Sequence, residues 1–132
     1  MKKSLRFFMV IFVLVSLPAW AMAGTVEGTI QGLTCVTLGK LCPVDKEDPM
    51  IGAERIFVVL TKDNNYYFVP NLDRGILARH INQMVRVIGK ISSKYKAIHA
   101  EKLEVFQDSA WKRTWSSTMQ RQRELYEWLV PF

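Results

Sequence analysis

The chain has 132 residues, 49% of them apolar and 23% charged, which is enough for one domain with one modest core and too little for two. Its formal charge is +6, but Lys2, Lys3 and Arg6 belong to a segment expected to be removed, leaving 15 basic against 12 acidic residues. A surplus of that size excludes the strongly basic class of nucleic-acid binders.

The first 23 residues run from a basic start, M-K-K-S-L-R, through the uncharged F-F-M-V-I-F-V-L-V-S-L to P-A-W-A-M-A-G, with small residues at Ala19, Ala21 and Ala23. This is the pattern of a secretory signal peptide cleaved after Ala23 or Ala21. Leu5 to Ala23 is just long enough to span a bilayer, so an uncleaved anchor is the competing reading; Pro18 and the small-residue pattern favour cleavage. No cysteine follows the apolar run to carry a lipid. The expected mature chain begins at Gly24 and is periplasmic or secreted.

Thr25 to Leu33 alternates Val26, Gly28 and Ile30 with Glu27, Thr29 and Gln31, a half-buried strand that Gly28 and Gly32 predispose to coil or bulge. Periodicity fails from Thr34 to Glu54, which predicts a loop of about twenty residues, and loops of that length are functional or disordered. It holds Cys35 and Cys42, separated by six residues. In an oxidising compartment their default is a disulfide, stabilising by about 2 to 3 kcal/mol. A redox-active dithiol and a thiolate metal site are the sharper alternatives, but both C-x-x-C and C-x-x-C-H are absent. Cys35, Cys42, Met50 and a histidine offer soft ligands for copper(I) or zinc without a spacing that requires them. Asp45, Glu47 and Asp48 lack the spacing of a calcium loop and are read as solvated charge.

Arg55 to Val69, R-I-F-V-V-L-T-K-D-N-N-Y-Y-F-V, is a hairpin, two β-branched and aromatic runs around Lys62, Asp63, Asn64 and Asn65, closed by Pro70. Asn71 or Asp73 caps a predicted helix reaching Asn82, with Ile76, Leu77, His80 and Ile81 on one face and His80 read as a packed histidine. Met84 to Ile91 and Ala97 to Phe106 are the fourth and fifth strands, joined by the turn Ser92 to Lys96. Gly89 stands where a curved sheet must bend, and the apolar set shifts phase between Ala100 and Leu103, which predicts a β-bulge. His99 and Glu101 fall on one side of the fifth strand, but no catalytic constellation emerges.

After Phe106, Trp111 and Trp115 flank basic residues in an extra strand or extended segment. A helix is expected from Ser117, whose spacing to Gln120 is that of a capping box. Trp115, Met119, Tyr126 and Leu129 form its stripe, widened by Leu125, Trp128 and Val130, with Arg121, Arg123, Glu124 and Glu127 opposite. Packing back on the body of the protein is the expected use of that stripe; docking on a partner or a membrane surface is the alternative.

Five strands with a short helix between the third and fourth match the OB-fold, a five-stranded Greek-key barrel. Residues 25 to 106, with G-L-T-C, L-C-P-V-D, Y-F-V-P-N-L-D-R and V-R-V-I-G-K, resemble the small exported OB-fold proteins of bacteria, in which a signal peptide precedes one barrel and no enzyme activity is assigned. The cysteine pair and the C-terminal extension depart from a minimal barrel. The expected organisation is a signal peptide over 1–23, a mainly β, OB-fold-like barrel over 24–106, and an extension with an amphipathic helix over 107–132.

The resemblance implies a ligand face across strands two and three, between the cysteine loop and the turn at Lys94, Tyr95 and Lys96. Outward aromatics among Phe57, Tyr66, Tyr67 and Phe68 would supply stacking, and the lysines charge. The blander alternative, weighted above a nucleic-acid site, puts half of those aromatics in the core. The expected function is a non-enzymatic binding module, without cofactor or metal, for a small ligand or a partner protein of the cell envelope. A thiol-redox or metal-handling accessory using Cys35 and Cys42 is the runner-up, and an envelope-assembly component docked through the C-terminal helix is the third.

Overall fold

Alternating β-branched and aromatic residues build six strands in a computed structural model that describes residues 23–43 and 49–130. The strands are β1 (Ala23–Gly32), β2 (Phe57–Leu60), β3 (Tyr66–Phe68), β4 (Met84–Ser92), β5 (Ala97–Gln107) and β6 (Ala110–Ser116). Four helices accompany them: α1 (Leu33–Thr37), α2 (Pro49–Ala53), α3 (Arg74–Ala78) and α4 (Ser117–Leu129). The fold is mainly β, with two helices more than the sequence suggested, and β6 is the extra strand or extended segment expected around Trp111 and Trp115. The expected signal segment and Asp45, Glu47 and Asp48 lie outside the described residues.

The sheet has the order β3-β2-β1-β4-β5-β6 with antiparallel neighbours, and β3 also meets β5 in parallel at Phe68↔Ala97. It therefore closes partly into a ring in which β1 is followed by β2, β3, β5 and β4. The first residues of β5 serve that closure, and Lys102 to Gln107 pair with β6. Val26, Ile30, Val59, Val87, Ile98 and Leu103 fill the interior with almost no exposure.

Irregularities in the strands give the sheet its curvature. Glu101 is the extra residue of a bulge, since Ile88 faces Lys102 while Gly89 faces Ala100. This is the phase shift predicted between Ala100 and Leu103. Gly89 accommodates it, because a Cβ there would lie 2.0 Å from the His99 carbonyl oxygen. Asn71 takes up the polar backbone groups beside the bulge, donating to the Ala100 carbonyl at 2.7 Å and accepting from the Ala100 N–H at 2.8 Å. In β1 the pairings show no bulge at Gly28; the missing Cβ instead admits the Leu60 carbonyl. A second register shift leaves Thr114 unmatched in β6 and turns Trp115 inward, against Leu103.

The hairpin turn forms where expected, with Asn64 in the left-handed region and the Asn65 carbonyl accepting from the Thr61 N–H and hydroxyl. Asp73 caps α3, which ends at Ala78 rather than running to Asn82. The His80 ring Nδ1 is 2.8 Å from the Gln83 side-chain oxygen, and Ile76 and Ile81 pack against the core. The stretch from Thr34 to Glu54 is less irregular than its sequence suggests, because α1 and α2 form a turn of helix each.

The C-terminal helix departs most from expectation. Its N-cap is Ser116, whose hydroxyl accepts from the Met119 N–H, one residue before the predicted cap. No residue of α4 is buried, so of the predicted stripe only Trp115, which precedes the helix, packs on the ring. Among the described residues no helix is long and apolar enough to cross a membrane.

Candidate functional site

Two features occupy the region that the sequence singles out, the fastened cysteine loop and an aromatic and cationic patch beside it. The loop is held by polar groups at the end of β1. The Gln31 side chain, 1% exposed, accepts from the Cys42 N–H at 2.8 Å and donates to Asn82 Oδ1. Asn82 in turn donates to the Cys42 carbonyl at 2.6 Å, so Gln31, Cys42 and Asn82 form a closed circuit. The Gly32 N–H points at Cys42 Sγ, 3.2 Å away. Asn82 is suited to its position because its φ of 61° lies in the left-handed region, which asparagine tolerates better than most residues.

Cys42 is buried and Cys35 half-buried, with sulfurs 2.8 Å apart, longer than the bond of about 2.05 Å in a disulfide. The side chain of Met50 is outside the described residues, and among those described no group of three or more histidines, cysteines and carboxylates is placed to hold a metal ion.

Glu54 and Arg74 secure the rest of the loop. Gly32, the residue before α1, provides no side-chain cap, and Glu54 reaches across to accept from the Thr34 N–H at 2.9 Å. Its other oxygen accepts from the N–H groups of Arg55 and Ile56. Partial burial pushes the Glu54 carboxyl up, but these donors together with the Thr34 hydroxyl outweigh it and hold the group below the ordinary glutamate range. Arg74 donates to the carbonyls of Ile51, Gly52 and Glu54 at the end of α2, and its guanidinium lies 5.4 Å from the centre of the Phe57 ring.

One consequence is that the loop covers part of the expected ligand face. Val58 points away from the ring interior between Phe57 and Val59, yet it is fully buried. Its cross-strand neighbour is Gln31, to which the loop is bonded. A recess of about 420 Å³ stays open between the loop and the hairpin, lined by Val36, Gly39, Lys40, Leu41, Leu60 and Asn64.

The second feature is created by ring closure. The Phe68 N–H donates to the Lys96 carbonyl at 2.8 Å, which sets the β4–β5 turn against β3. Lys96 itself sits in the left-handed region, with φ 46°. Its ammonium lies 5.5 Å from the Tyr66 ring centre, and Tyr66 meets Phe68 edge to face at 5.7 Å. In the same turn Lys94 approaches the ring of the exposed Tyr95 at 5.1 Å. Lys96, Tyr66 and Phe68 thus form one group across the seam, and Lys94 and Tyr95 a second pair in the adjoining turn. Phe57, at 3% exposure, is a core residue, and Tyr67 packs against the core, so these two do not join the patch. Among the described residues no ion pair involves Lys94 or Lys96.

A separate charge ladder crosses the sheet elsewhere. Arg86 binds Glu104 at 2.5 Å, approaches Glu27 at 3.8 Å and lies over the Trp111 ring at 4.4 Å. Glu27, Arg86, Glu104 and Arg113 are successive cross-strand partners of alternating sign. The ladder's ion pairs join β1, β4 and β5, Arg86 reaches β6 through the Trp111 ring, and the ladder is read as structural.

Sequence reasoning missed Gln31, Asn82, Glu54 and Arg74. Only Asn82 carried a usable signal, a turn-favouring residue between an apolar helix and a strand. No family model, no curated protein and no solved structure matches the chain.

Proposed function

We propose that the chain is an exported, non-enzymatic module on an OB-type barrel, and that it binds an anionic, ring-bearing small ligand or an acidic segment of an envelope protein. The observation that carries this reading is the β3–β5 seam, where Lys96 lies against Tyr66, Tyr66 against Phe68, and Lys94 against Tyr95 in the adjoining turn, with no carboxylate partner for either lysine among the described residues. Stacking surfaces beside cations favour such ligands, and each exposed cation–π contact adds about 0.5 to 1 kcal/mol.

Support for the OB-type reading comes from the ring order, from the parallel β3–β5 contact and from α3 between β3 and β4. The N-terminal pattern and the resemblance to small exported bacterial OB-fold proteins support export. A Cys35–Cys42 disulfide belongs to the same proposal, favoured by the proximity of the sulfurs and by an oxidising compartment.

Two measurements test it. Intact mass of the protein recovered from the cell envelope should equal Gly24 to Phe132 less two hydrogens; a chain retaining residues 1–23 or alkylatable cysteines refutes export with cleavage or the disulfide. NMR titration with a short oligouronate and with a glutamate-rich peptide should move the amides of Tyr66, Phe68, Tyr95 and Lys96. Tyr66→Ala with Lys96→Gln should abolish those shifts, and silence toward both probes sinks the binding reading.

A further inference from the structure

The outward face of α4 carries an inference that stands apart from the seam patch. At about 100° per residue, Met119, Leu125, Tyr126 and Leu129 share one arc of roughly 120°, interrupted by Thr118 and Gln122, and Val130 follows as the C-cap. Arg121 borders this arc on one side and Arg123 on the other, while Glu124 and Glu127 project from the far side of the helix. The helix is turned with its polar side toward the ring, because the space between the two is lined by Asn71, Trp115, Ser117, Gln120, Arg121 and Glu124. Its apolar arc consequently faces solvent, with Tyr126 71% and Leu129 77% exposed; Trp128, 88% exposed, lies outside the arc, beyond Arg121.

We propose that α4 is a membrane-surface anchor that lies in the interface of a bilayer containing anionic lipid. Three features select this occupant. The arginines sit at the borders of the apolar arc, where their stems reach along apolar surface and their guanidinium groups meet phosphate, whereas the carboxylates face away. Tyr126, inside the arc, is a residue type that partitions to the headgroup level. A second copy is a poorer fit by area: a helix of 13 residues is about 20 Å long and 10 Å wide, a footprint of roughly 200 Å² against the about 800 Å² per partner of a stable interface.

The test uses the protein as its host processes it, mixed with vesicles of equimolar phosphatidylglycerol and phosphatidylethanolamine whose acyl chains are brominated near the headgroup. In a chain carrying Trp128→Phe, the further substitution Tyr126→Trp, within the apolar arc, should add a quenched component; this difference isolates α4 from any apolar N-terminal segment. Met119→Glu with Leu129→Glu should lower partitioning at least ~10-fold. Arg121→Gln with Arg123→Gln should weaken binding to these vesicles and leave binding to pure phosphatidylcholine unchanged. These side chains are all exposed, so a thermal melt like that of the wild type is expected to accompany each loss. Absence of quenching in the Tyr126→Trp chain overturns the proposal. So does a dimer in light scattering that Leu129→Glu converts to monomer while vesicle binding is absent, since the occupant is then a second copy.

Discussion

Replacing Asn82 with alanine removes the Gln31–Asn82 and Asn82–Cys42 hydrogen bonds, strands the buried Gln31 amide, and places a β-carbon-bearing apolar residue at φ 61°. Each lost bond is worth about 1 kcal/mol, the orphaned amide about 1 more, and the left-handed backbone about 1 for alanine over asparagine. The expected cost is therefore about 4 kcal/mol. Asn82→Gly should cost about 3, because glycine accepts the backbone while losing the same bonds. Urea denaturation gives both values, and alkylation in the presence of reductant gives an independent readout, because Cys42 is shielded only while the loop is fastened. Both variants should label Cys42 faster than the wild type does. A cost below about 1 kcal/mol for each, with labelling at the wild-type rate, refutes the role assigned to the circuit.

Other substitutions probe the remaining supports. Glu54→Ala should destabilise by about 1 kcal/mol at neutral pH through loss of the α1 cap. The Glu54 carboxyl is lowered in the folded state, so its contribution is full above the unfolded glutamate value and is lost as pH falls through the folded one. Glu54→Gln should accordingly flatten the pH dependence of the urea midpoint in that acidic window. Gly89→Ala forces a Cβ into the His99 carbonyl and should cost ~3 kcal/mol or more in the same assay, with the bulged β4–β5 pairing disturbed in amide shifts. Arg86→Met strands Glu104, whose side chain is only 14% exposed, and should cost about 2 kcal/mol. Most of that loss should be recovered in Arg86→Met with Glu104→Gln, as a double-mutant cycle will show.

Legibility followed the range of the interactions involved. The hairpin, the Asp73 cap and the phase shift before Leu103 are written in residues within a few positions of one another, and each formed. The inward turn of Trp115 depends on Thr114 being unmatched across β5, which the alternation of W-K-R-T-W conceals. Gln31 looked like an outward polar strand residue and does point outward, but the loop at Cys42, eleven residues later, covers it. Glu54 caps a helix twenty residues upstream, and local spacing carries no trace of that. The α4 stripe was legible as a pattern, yet a pattern identifies an apolar face without saying what covers it, and the ring does not. For the candidate site the same division holds: Tyr66 and Lys96 are brought together by ring closure, while Phe57 is drawn inward by the alternation of its own strand.

The closure of the ring rests on one register pair, Phe68↔Ala97, whereas β4 and β5 are paired along nearly their whole length. A sheet joined so unevenly does not breathe uniformly. Its lowest-energy opening is a parting of β3 from the start of β5, which leaves β1, β4, β5 and β6 intact as a curved platform. The Phe68 amide should then exchange with solvent far sooner than that of Val87. Each such opening also pulls Tyr66 away from Lys96, so anything bound across both would act as a clasp, slowing exchange at that one place and leaving the rest of the sheet as it was.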